Sequence, residues 1–81
     1  MNTKKEILTE FKDRVSQITY DIEYYSYKNN DIVKLNLIDK RKLIIDIGIS
    51  IGIENSYFLE WIKNGELILN KDINDSLHSY K

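Results

Sequence analysis

The chain has 81 residues, enough for one small domain with a modest core. Its 12 basic and 13 acidic residues nearly cancel, which points away from bulk electrostatic binding of nucleic acid and from acidic mimicry of DNA. There is no Cys for a disulfide or thiolate metal site, no apolar h-region beside Lys4, Lys5 and Glu6, and no apolar run of about 18 residues to span a bilayer, so a soluble, cytoplasmic protein is expected.

Residues 3–17 read as a helix. Thr3 is placed as its N-cap, with Glu6 three residues on as the capping-box partner. Ile7, Leu8, Phe11 and Val15 form its apolar stripe. Beyond this point two periods overlap. Leu8, Phe11, Val15, Ile18, Ile22 and Tyr25 continue a 3-4-3-4-3 spacing that would carry the helix to Lys28 as a coiled-coil seam. Ile18, Tyr20, Ile22 and Tyr24 also alternate with Thr19, Asp21 and Glu23, and these residue types favour a strand. The strand is the reading adopted.

Lys28–Asp31 reads as a turn, Val33–Leu37 as a second strand and Asp39–Lys42 as a second turn. Leu43, Ile45, Ile47, Ile49, Ile51 and Ile53 then alternate with smaller or polar residues as a third strand, an Ile-rich edge open to strand addition. Loops at 27–30 and 40–42 pair Ile22 with Leu35, Glu23 with Lys34, and Leu37 with Ile45, keeping the apolar residues on one face. Asn55 or Ser56 caps a second helix, 57–64, and Gly65 closes it. A short strand at 66–70 and a last helix near Tyr80 complete the chain. The expected fold is α+β, a single domain over 1–81: an N-terminal helix, a three-stranded antiparallel meander, a second helix, and a short C-terminal strand and helix.

The composition tempers the Ile signal. Ile, Lys, Asn, Tyr and Phe supply 40 of the 81 residues, and Ala and Pro are absent. These preferences follow A/T-rich codons, as in a low-GC bacterium, its phage or its plasmids.

Residues 44–67 also fit an all-α alternative. Gly48 stands where one helix packs on another and Gly52 where the turn falls. Ile47, Ile51, Ile53, Phe58 and Trp61 occupy the apolar positions. With Trp61-Ile-Lys-Asn-Gly-Glu-Leu67 closing it, this segment resembles the DNA-binding helix-turn-helix of excisionase and MerR-like regulators. That resemblance implies a transcriptional regulator with Asn55, Ser56, Tyr57, Lys63 and Asn64 facing DNA. Residues 3–28 would then form a dimerising helix.

Catalytic chemistry is not indicated. His78 is the sole His and reads as solvent-exposed, without a Cys or second His to make a nucleophile–base pair or zinc site. Asp72, Asn74 and Asp75 lack the glycine and distal Glu of an EF-hand. Gly48 and Gly52 lack the Lys-Ser/Thr of a P-loop. Neither a metal nor any other cofactor is expected. The aromatic residues are more informative: in the meander Tyr25 and Tyr27 lie near Ile32 on the outer face, with Lys40, Arg41 and Lys42 as a charged rim. The leading expectation is a small non-catalytic regulator or inhibitor, of the kind phage and mobile elements encode. It would act by occupying the surface of a larger host protein or complex, with a homodimer as a further possibility and nucleic acid a partner only in the helix-turn-helix reading.

Overall fold

The computed structural model describes residues 4–78 as three α-helices: α1 Lys4–Tyr27, α2 Asp31–Ser50 and α3 Asn55–His78. Among the described residues there is no β-strand. The expected α+β fold is therefore overturned, and its three-stranded meander is replaced by the second half of α1 and the whole of α2. The proposed strand at 66–70 lies inside α3, and Gly65 sits in the middle of that helix. Thr3 and Tyr80, named as helix limits, lie outside the described residues, as does the side chain of His78.

The 3-4-3-4-3 seam is the period that wins in α1. Val15, Ile18 and Ile22 on it are buried, and Thr19 beside them is fully so. Strand propensity at 18–27 yields because the helix buries these side chains on two neighbours at once. The seam is spent within the chain, on α2 and α3, rather than on a second copy of α1.

Two Schellman motifs end the first two helices. Asn29, at φ 58°, and Gly52, at φ 100°, occupy the left-handed position that closes a helix. The Asn30 N–H donates to Tyr25 O at 2.9 Å, and the Ile53 N–H to Gly48 O at 3.0 Å. Asn30 also starts α2, its side chain accepting from the Val33 N–H at 3.3 Å. The turn expected at 28–31 is thus present, but it joins helices.

α2 runs antiparallel to α1. Lys34 Nζ donates to Ser26 Oγ at 3.2 Å, and Arg41 Nη1 to Thr19 Oγ1 at 3.1 Å. α3 runs parallel to α1, with Ser16 Oγ donating to Trp61 O at 3.3 Å and Tyr20 Oη to Asp72 Oδ2 at 2.9 Å. The backbones of α2 and α3 both lie along α1, while their own close approach is sparse. The result is an elongated bundle, 48 × 26 × 22 Å, with α1 in the middle.

The core sits where all three helices meet. Val15, Ile53, Phe58 and Trp61 are buried together, with Phe11, Ile44, Ile45 and Ile62 packed around them. Phe58 and Trp61 meet edge-to-face at 5.3 Å. Gly48 lets Phe58 lie directly on the α2 backbone; a Cβ there would overlap the ring.

Candidate functional site

An aromatic surface groove lies between the C-terminal halves of α1 and α3. Tyr20, Tyr24 and Tyr27 recur at helical spacing and line one side of a groove of about 410 Å³. Leu69, Asp72, Ile73 and Leu77 of α3 line the other. Lys28 Nζ lies 5.8 Å from the Tyr24 ring centroid and 5.6 Å from that of Tyr27, within cation–π range of both. The Tyr20 hydroxyl is held by the Asp72 carboxylate. That hydrogen bond, with lesser contributions from desolvation and the negative charge of Asp72, raises the Tyr20 pKa above its usual 10.0. The groove thus presents aromatic faces, one carboxylate and one cation. It suits an amphipathic side chain or segment of another protein and contains no nucleophile–base pair.

The predicted contact residues do not form one patch. Tyr27 lies in the groove and is 56% exposed. Tyr25 is half-buried and meets Tyr24 edge-on at 5.2 Å. Ile32, 78% exposed, stands in the first turn of α2. Lys40, Arg41 and Lys42 are consecutive helical residues, so they point about 100° apart instead of rimming a loop. Lys40 lines a groove between α1 and α2 with Ile18, Asp21 and Leu37; Arg41 turns inward to Thr19; Lys42 is exposed. Tyr20, Tyr24, Lys28 and Asp72 escape the sequence reading. The 20-24-27/28 spacing is a helical signal that the strand assignment conceals.

The positions assigned to DNA in the alternative separate too. Asn55, Ser56 and Lys63 are exposed, with Glu60 also exposed between Ser56 and Lys63. Tyr57 leans on Trp61 at 5.7 Å, beside a cavity lined by Ile7, Leu8, Ile51 and Ile53. Asn64 is half-buried next to Lys12 of α1. The junction itself has the form the resemblance requires: a helix, a turn at the left-handed Gly52, a helix, and Gly48 under Phe58. Ile53, Phe58 and Trp61 are buried as that reading expects, whereas Ile47 and Ile51 are exposed. Ile45 is half-buried on the core.

Among the described residues no group of three or more His, Cys, Asp or Glu is placed to hold a metal ion, and no helix is long and apolar enough to cross a membrane. Comparison of the chain with protein-family models, with curated proteins and with solved structures gives no match.

Proposed function

We propose that this chain is a non-catalytic binding module that regulates a larger protein by occupying its surface. The observation that carries the reading is the tyrosine groove between α1 and α3, with Tyr27 open to solvent and Lys28 across two rings. Tyrosine brings large contact area at low entropic cost, which is why it recurs at protein interfaces. The test is affinity capture from the source organism or its host, with bound species identified by mass. A specific protein retained by the wild type and lost with Tyr24→Ala plus Tyr27→Ala is the expected result. Equal retention by both removes the groove from the function.

The all-helical fold favours the architecture of a second reading, a helix-turn-helix regulator of transcription. The specific support is the α2–α3 junction, with Gly52 in the turn and Gly48 beneath Phe58. The outer face of α3 argues the other way, because Glu60 accompanies Lys63 where a reader of phosphate and base edges needs net positive charge. Salt-dependent, sequence-selective DNA retention that falls with Lys63→Ala would establish this reading over the first.

A further inference from the structure

α2 and α3 each carry a second apolar stripe in addition to the one on α1. On α2 it is Leu35, Ile38, Lys42, Ile45 and Ile49, a 3-4-3-4 spacing. On α3 it is Leu59, Ile62, Glu66, Leu69 and Ile73, with the same spacing. Gly48 lies against Phe58, and Thr19 meets both Arg41 and Gly65, so the two helices are in register there and Ile45 stands level with Ile62. Three residues back along α2 and four residues on along α3 bring Lys42 level with Glu66. Four further residues back along α2 and three on along α3 bring Ile38 level with Leu69, and three and four more bring Leu35 level with Ile73. Yet away from that contact the backbones of α2 and α3 approach each other only sparsely. Leu69 is buried within the chain, but Leu35 stays 59% exposed, Ile49 48% and Leu59 62%. Among the described residues neither Lys42 nor Glu66 has an ion-pair partner.

We infer that this α2–α3 face binds a second copy of the chain, forming an antiparallel four-helix layer about a two-fold axis parallel to the helices. Rotation about such an axis sets α2 of one protomer against α3 of its partner, antiparallel and at the same height. The apolar residues left open on each helix then cover one another between chains. Each Lys42 meets a Glu66 of the partner subunit, twice by symmetry. The face is therefore self-complementary in both apolar pattern and charge, which is what an isologous interface requires. A foreign helix would have no reason to reproduce this match level by level.

The experiment is the mass of the full chain in solution across a concentration series, by sedimentation or light scattering. The wild type is expected as a dimer at micromolar to tens of micromolar concentration. Lys42→Glu alone, or Glu66→Lys alone, sets like charges opposite one another at two symmetric places and weakens the dimer roughly tenfold to a hundredfold. Far-UV circular dichroism of each variant verifies that its helices are intact. The decisive step mixes the two single variants. Each carries like charges within its own chain. In the mixed pair the carboxylate introduced at position 42 faces the ammonium introduced at position 66. The unchanged Lys42 of one variant likewise faces the unchanged Glu66 of the other, so dimer mass returns. A contact made only within one chain would not be rescued by mixing. A monomeric wild type, single variants that dimerise unchanged, or a mixture that stays monomeric each overturns the inference. So does a wild-type monomer that takes up a foreign helix on this face.

Discussion

Gly65 shows how tightly single atoms set the spacing of α1 and α3. A Cβ there would lie 2.5 Å from the Ser16 carbonyl oxygen and 2.9 Å from the Thr19 Cβ. Both neighbours are fixed, one in backbone and one fully buried. Gly65→Ala gains about 0.5–1 kcal/mol of helix propensity and loses about 1–3 kcal/mol to overpacking. Its urea midpoint is expected to fall, the reverse of an exposed Gly→Ala change in a helix. Tyr20 makes a separate prediction in alkali. Its folded pKa is raised, so the stability it contributes is intact below its unfolded value near 10.0 and is lost as pH rises through the higher folded value. Tyr20→Phe should remove a step delayed beyond 10.0 from the tyrosinate absorbance titration. If that step survives in the variant, the hydrogen bond to Asp72 is not what sets it.

At the scale of the element, Asn30 ends one helix and begins the next. Asn30→Ala removes the acceptor for the Val33 N–H and is expected to cost about 1 kcal/mol, read as a lower urea midpoint with an unchanged slope. Such punctuation is legible in the sequence: the turn at 28–31 and the small residues at 48 and 52 stand out there. The helical seam from Leu8 to Tyr25 is visible as well, but Ile, Thr and Tyr in its second half outweigh it. In α2 the error has a different physical origin. Alternating Ile residues at 45, 47, 49, 51 and 53 also contain every i,i+4 relation a helix uses. The same residues therefore serve either period. The structure divides them, with Ile45 on the core, Ile53 buried beyond the turn, and Ile47, Ile49 and Ile51 outside. The tyrosine groove is hidden by the same choice, since a strand sends Tyr20 and Tyr24 to one face and Tyr27 to the other.

For the whole molecule, one core serves all three helices, so unfolding should be a single event. Trp61 is the only Trp and lies in that core, 5% exposed. Its fluorescence and the helical dichroism at 222 nm should trace one superimposable transition in urea. Dichroism lost before fluorescence would show α2 leaving on its own. Phe58→Ala should cost about 3–5 kcal/mol, a large share of the stability available to a domain of this size, and leave little folded protein at 37 °C.

The order of the helices in space differs from their order along the chain, since the first helix lies between the other two. That placement bears on how the molecule is made. The central helix leaves the ribosome first, so each later helix emerges to find its docking surface already present. α2 completes a hairpin with α1 before α3 has been translated, and the four residues at 51–54 then need only turn the chain back toward the exposed side of α1. Each of the two later helices thus docks on a segment already translated, and the apolar side of α1 waits only for the helix that follows it.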